Sequence, residues 1–114
     1  MIEGSSDSGA ARVLSYGMVG GGPGAFIGEV HRKAIGLDGL ARITAGCFSR
    51  DLANTRITGR ALGISDERLY ASYEQMAAGE AARKDGVDFV VIVTPNATHY
   101  AAAKAFLSKG IHVV

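Results

Sequence analysis

The chain has 114 residues, of which 47% are hydrophobic and 20% charged, a composition that fits one small globular domain with a buried core and excludes a disordered chain. Twelve basic residues against eleven acidic ones leave a formal charge of +1, with no basic stripe to meet a phosphate backbone, so no nucleic-acid partner is expected. No apolar run approaches the roughly 18 to 20 residues that cross a bilayer, and a single cysteine, Cys47, excludes an intrachain disulfide and a cysteine-rich metal site; no membrane association and a cytoplasmic location are expected.

Residues 1–11, with Gly4, Ser5, Ser6, Asp7 and Ser8 and no apolar signal-peptide core, read as a flexible polar tail ahead of a domain over residues 12–114. Arg12 to Val19 is the first expected strand, with apolar bulk from Val13, Leu14, Tyr16, Met18 and Val19. A strand buried on both faces need not alternate. Glycines follow, then a helix from about Phe26 to Leu37 with Ile27, Val30, Ala34 and Leu37 at helical spacing. Beyond Gly39, Arg42 to Phe48 forms a second strand through Ile43, Ala45 and Cys47. Asp51 is placed to cap a short helix that fades toward Gly63, with Ile57, Ala61 and Leu62 on one side.

Tyr70 to Tyr73 reads as a brief third strand, and Tyr73 to Lys84 as a helix with Met76, Ala77 and Glu80 inside, stopped by Asp85-Gly86. Asp88 to Thr94 carries the strongest strand signal, because Phe89-Val90-Val91-Ile92-Val93 is continuous β-forming bulk, and Pro95 breaks it. Ala97 to Lys109 is the clearest helix, with Ala101, Ala105 and Leu107 available for packing and Gly110 as its stop; Ile111 to Val114 begins another strand. This alternation predicts an α/β fold, a Rossmann-like doubly wound parallel sheet. The sheet is expected to be incomplete at the C-terminus, since Val114 ends where a loop should reach the sheet's carboxyl edge.

The turn Gly20-x-Gly22 directly follows the first strand. Its first glycine permits a tight turn, its second lets the backbone approach a pyrophosphate, and helix-start amides then receive the anionic oxygens. Read without a gap, Gly20 to Ala25 matches the dinucleotide fingerprint; read by helix placement, Gly28 is the close-packing glycine and Pro23-Gly24 belong to an extended loop. The second register is preferred. Phe26 and Ile27 complete the candidate cofactor loop, and a turn without a ligand is the plain alternative. Ser49-Arg50 ends the second strand, where an NAD-selective domain usually places a carboxylate on the ribose hydroxyls. Ser49 offers a hydroxyl instead, and Arg50 suits a 2′-phosphate and stacking on adenine, so the cofactor is NAD or NADP with the balance toward NADP. Asp51 keeps both roles open, ribose carboxylate or helix cap. His31, Cys47, Tyr70, Tyr73 and His112 read more readily as structural or packing residues.

Thr94-Pro95-Asn96-Ala97-Thr98-His99 ends the strongest strand. Pro95 stiffens the strand exit, Asn96 is suited to cap the helix or bond a ribose, and His99 sits one turn along, able to bond back to the loop. Taken with Gly20-x-Gly22, Ile27-Gly28, His31, Ser49-Arg50 and the closing Gly110-Ile111-His112-Val113-Val114, this order resembles the N-terminal domain of the Gfo/Idh/MocA family over nearly all of the chain after the tail. The loop with Pro23, Gly24, Ala25 and Phe26 resembles one branch of that family. The resemblance implies hydride transfer between NAD(P) and a hydroxyl-bearing carbon of a sugar, inositol or related polyol, with Thr94, Pro95 and Asn96 bordering the nicotinamide half and His99 supporting their loop.

It also implies a Glu-Lys-Pro or Asp-Lys-Pro motif after the last strand, then a second α/β domain with much of the substrate pocket, further catalytic residues and a homo-oligomer interface. These are expected beyond Val114, so no catalytic residue is assigned and the 114 residues alone are expected to be inactive. A non-catalytic NAD(P)-binding or sensing module of the same fold is the alternative. A nucleoside-cofactor methyltransferase lacks the carboxylate expected at Ser49-Arg50. A phosphate-hydrolysing enzyme lacks Gly-Lys-Ser or Gly-Lys-Thr after the glycines.

Overall fold

The computed structural model describes residues 13–21 and 41–114. The expected tail, the loop residues Gly22, Pro23, Gly24 and Gly28, the expected helix from Phe26 to Leu37 with Ile27, and His31 lie outside the described residues. Within them, β1 (Leu14–Val19), β2 (Ala41–Cys47), β3 (Phe89–Ile92) and β4 (His112–Val113) form one sheet in the order β2-β1-β3-β4. All three pairings are parallel. The chain leaves β1 toward one side for β2 and returns to the other side for β3, which opens a crevice at the carboxyl ends of β1 and β3.

The strands are buried on both faces, and each face has its own apolar cluster. Val19, Ala45, Cys47, Val90 and Ile92 point to one side, where Met76, Ala77, Ala102 and Phe106 cover them. Tyr16, Met18, Phe48 and Val91 point to the other, with Ile64 and Leu69. Neighbours such as Val90 and Val91 thus part to opposite faces, as a period of two requires. Asp88 precedes β3, and its carboxylate accepts from the Ser15 N–H at 2.8 Å.

The expected strand over Tyr70 to Tyr73 does not form. Leu69 makes a single parallel bridge to Gly46, and the Tyr70 N–H donates to the Gly46 carbonyl at 2.9 Å. Ser72 then turns the chain into a helix, its Oγ accepting from the Gln75 N–H at 3.1 Å. The bridge adds a position outside β2, and it places that helix's start beside the sheet's carboxyl edge.

Helix α1 (Leu52–Ala61) begins at Asp51, whose carboxylate accepts from the Ala53 N–H at 2.9 Å, and Gly63 at φ +77° turns the chain after it. Its inward residues are Thr55, Thr58 and Gly59; Ile57 is 60% exposed, Ala61 is exposed and Leu62 only half-buried, contrary to the face expected from the apolar positions. Leu69 decides this, because a Cβ at Gly59 would run into its side chain, so the helix approaches through its smallest residue.

Helix α2 (Tyr73–Ala82) buries Met76, Ala77 and Glu80 as the spacing predicts. Glu80 has no exposed side-chain surface and is paired bidentately with Arg68. It also accepts from the Tyr70 hydroxyl at 2.6 Å and the Val87 N–H at 3.1 Å, while Arg68 reaches the Asp85 carbonyl at 3.1 Å. This network ties the 3-10 turn Asp66–Arg68 to the entrance of β3.

Helix α3 (Asn96–Leu107) packs through Ala102 and Phe106, whereas Ala101 is exposed, Ala105 half-buried and Leu107 59% exposed. The inward stripe lies one position from the expected one. Burying Phe106 sends Leu107, a hundred degrees around the helix, toward solvent. Gly110 at φ +79° ends the unit. No helix among the described residues is long and apolar enough to cross a membrane.

Candidate functional site

A cleft of about 670 Å³ opens where β1, β2 and β3 end, within the size range of cofactor and small-ligand sites. Its floor is the β1 exit. Gly20 adopts φ +88° and Gly21 φ +76°. The Gly20 N–H donates to the Cys47 carbonyl at 2.9 Å, and the Val93 N–H donates to the Val19 carbonyl at 2.9 Å, so three strand ends are tied together. A Cβ at Gly20 would lie 3.2 Å from the Val93 carbonyl carbon and 3.3 Å from Thr94 Cγ2. Left-handed φ and crowding together call for glycine here.

Ser49 and Arg50 line one side of the cleft. The Ser49 backbone is held by the fully buried Thr55, whose hydroxyl accepts from the Ser49 N–H at 3.0 Å and donates to its carbonyl at 3.2 Å. Ser49 Oγ accepts from the Asp51 N–H at 3.1 Å. Asp51 is engaged as the α1 cap, the second of the two roles the sequence left open, and is not among the residues lining the cleft. Arg50 is exposed, leaving its guanidinium accessible to an anion.

Thr94 and Pro95 line the opposite side. Thr94 Oγ1 is buried without a hydrogen-bond partner among the described residues. Such a hydroxyl costs about 1–3 kcal/mol unless a partner is supplied. Pro95, not Asn96, occupies the α3 cap position, and Asn96 is the first helical residue; its side chain lies outside what is described. The capping alternative for Asn96 therefore falls, since Pro95 holds that position without a side-chain cap bond; its carbonyl accepts from Thr98 Oγ1 at 3.1 Å and from the Thr98 and His99 N–H groups. Proline at the cap fixes the strand exit and has no N–H to satisfy. His99 is half-buried one turn into the helix and joins the loop through that backbone bond; neither it nor His112, exposed on β4, lines the cleft.

Ala71, Ser72, Tyr73 and Glu74 form a third wall. Sequence reasoning did not place them at the site. The signal was the Ser72-x-x-Gln75 pattern, a helix-start signature that fixes where α2 begins. Cys47 lies beneath, and burial, with a smaller contribution from the Glu74 charge, pushes its thiol up to about 11. It is a packed apolar group, not a nucleophile.

The residues present fit a nicotinamide dinucleotide. The glycine floor puts no side chain into the cleft, Ser49 and the exposed Arg50 offer a hydroxyl and a guanidinium on one side, and Thr94 offers on the other a buried hydroxyl without a partner among the described residues.

Comparison with known proteins gives a consistent result. Residues 14–114 match the model of an oxidoreductase family, Gfo/Idh/MocA, with an NAD-binding Rossmann fold. An uncharacterized oxidoreductase of Bacillus subtilis (strain 168), YfiI, is 42% identical over 105 residues, covering 91% of this chain and 27% of that protein. An oxidoreductase from Sinorhizobium meliloti is 47% identical with a TM-score of 0.85, covering 90% of this chain and 28% of that one. An inositol dehydrogenase homolog from Azotobacter vinelandii, solved with NADH and myo-inositol, is 39% identical with a TM-score of 0.87, covering 90% of this chain and 27% of that one. The chain thus spans 27–28% of the length of these relatives.

Proposed function

This chain belongs to the Gfo/Idh/MocA oxidoreductase family, whose NAD-binding Rossmann fold it carries, and from that membership we propose that its cleft holds NAD(P) for hydride exchange with a hydroxyl-bearing carbon of a sugar, inositol or related polyol. The observation that carries the reading is the β1 exit, where Gly20 at φ +88° has Val93 and Thr94 packed against the space a side chain would need. When bound, the nicotinamide ring supplies the hydride donor or acceptor.

The chain's residues bind and orient. The Gly20-x-Gly22 turn with Phe26 and Ile27 receives the pyrophosphate, and Thr94, Pro95 and Asn96 border the nicotinamide half, with His99 supporting their loop. The Thr94 hydroxyl gains its missing partner there. Ser49 and Arg50 take the adenosine ribose, and Arg50 favours a 2′-phosphate because a guanidinium pairs with phosphate in two parallel bonds. The general base, most substrate contacts and a homo-oligomer interface belong to the remainder of a longer protein, in keeping with the share of its relatives that the chain spans.

Calorimetric titration with NADH and NADPH tests both levels of the proposal. Binding of either in the micromolar to low millimolar range supports the cleft as a dinucleotide site. Arg50→Ala is expected to weaken NADPH about fivefold and to leave NADH nearly unchanged, the size of a partly solvated ionic contact. An unchanged NADPH/NADH ratio removes Arg50 from cofactor choice. Absence of binding by both cofactors removes the proposal itself.

A further inference from the structure

The sheet order gives the cleft a direction. The pyrophosphate turn sits at the exit of β1, Thr94 and Pro95 follow β3 on one side, and Ser49-Arg50 follow β2 on the other. Beyond β2 the next position is the Leu69–Gly46 bridge, from which the chain passes directly into α2. The α2 start therefore borders the end of the cleft farthest from the nicotinamide side, where a dinucleotide extended across the sheet places its adenine base.

Glu74 lies in the first turn of α2, exposed and in the cleft wall. That turn is fixed by the Ser72 cap at 3.1 Å. Cys47, at the end of β2, lines the same cleft as Glu74. Among the described residues lining the cleft, Glu74 is the one acidic side chain and Arg50 the one basic one. Arg50 carries only donors, so it cannot receive a hydrogen bond from an exocyclic amine, whereas an ionised carboxylate is purely an acceptor.

Building on the dinucleotide reading of the cleft, we infer that Glu74 is a specificity-determining residue that reads the adenine base, its carboxylate accepting from the 6-amino group. A base with a carbonyl oxygen at that position presents a lone pair to the carboxylate instead and is disfavoured. Through this contact the site distinguishes adenine from hypoxanthine or guanine dinucleotides independently of anything Arg50 does at the ribose.

The test is calorimetric titration of the full chain with NADH and with reduced nicotinamide hypoxanthine dinucleotide, which differs at the 6-position of the base. The wild-type chain is expected to prefer NADH about tenfold, the scale of one hydrogen bond to a charged acceptor. Glu74→Ala should weaken NADH and bring the two affinities within about twofold, while Glu74→Gln, which keeps an acceptor oxygen, should restore part of the preference. Glu74 is exposed, so an unchanged thermal melt will accompany these changes. A wild-type chain that binds both dinucleotides equally, or a preference untouched by Glu74→Ala, overturns the inference while NADH binding preserves the dinucleotide reading. A gain in NADPH affinity with the hypoxanthine discrimination intact also overturns it, by assigning the carboxylate to the ribose. Loss of all NADH binding in the wild-type chain overturns both.

Discussion

At Gly20, the left-handed backbone disfavours a side chain and the wall formed by Val93 and Thr94 would have to give by a few tenths of an ångström to admit a Cβ. Gly20→Ala is expected to destabilise the fold by about 1–2 kcal/mol, from the left-handed strain and the crowded Cβ, and to weaken NADH binding more than tenfold by moving the turn. An unchanged melt with unchanged NADH affinity would contradict this. Cys47 gives a prediction in pH. Burial first, then Glu74, raises its thiol from 9.0 to about 11 in the folded chain, and burial with the Glu80 hydrogen bond raises the Tyr70 hydroxyl as well. The folded state therefore holds protons that the unfolded state releases. Stability from the thiol is fully present below about pH 9 and is lost as pH rises through about 11, a change of about 2 kcal/mol. Urea unfolding at pH 8 and pH 10.5 should show that loss, reduced in Cys47→Ala; equal midpoints at the two pH values would refute it. The residue types at the site were legible in the sequence to different degrees. Gly20, Ser49-Arg50 and Thr94-Pro95 advertise themselves by lying at strand exits. Ser72 to Glu74 do not, because their place depends on a single bridge between Leu69 and Gly46.

Among the elements, the buried strands were more readable than the inward faces of the helices, the Tyr70 to Tyr73 stretch excepted. Continuous apolar runs such as Phe89 to Val93 imply burial on both faces whatever the neighbours, and the parallel sheet follows. Helix faces depended on contacts that no periodicity announces. Ile57 and Leu107 were expected inside and are exposed, while Thr55 is fully buried because its hydroxyl holds both backbone groups of Ser49. Phe106→Ala is accordingly expected to cost about 3–5 kcal/mol, and Leu107→Ala, at an exposed position, less than about 0.5 kcal/mol. Comparable losses at the two positions in chemical denaturation would show the face to be misassigned. The Arg68–Glu80 pair carries the same lesson for polar groups. The helical spacing put Glu80 inside, but its partners come from the 3-10 turn, Tyr70 and Val87. Arg68→Ala would strand a fully buried carboxylate and should cost about 3–5 kcal/mol. A loss under 1 kcal/mol would mean that the carboxylate finds water.

For the whole molecule, the strand order and the family match agree on a cofactor-binding unit, and the chain spans 27% of the length of its Bacillus subtilis relative. Orientation of substrate against nicotinamide is a property of the longer protein in the proposed function, so these 114 residues are expected to bind dinucleotide without oxidising inositol or another polyol. The sequence foretold the doubly wound sheet through its alternation of elements, and the motifs at three strand ends do come to one cleft. It did not foretell the third wall, since long-range pairing outside β2 leaves almost no local trace.

The central claim is that the carboxyl-edge cleft is a dinucleotide site, and titration of the ¹⁵N-labelled chain with NADH, followed by amide chemical shifts, tests it most directly. Saturable shifts concentrated at Gly20, Gly21, Ser49, Arg50, Ser72 to Glu74 and Thr94 are expected, with β4 little affected. Absence of saturable shifts at millimolar NADH, or shifts centred on the exposed face of α3 around Tyr100 and Leu107, would contradict it.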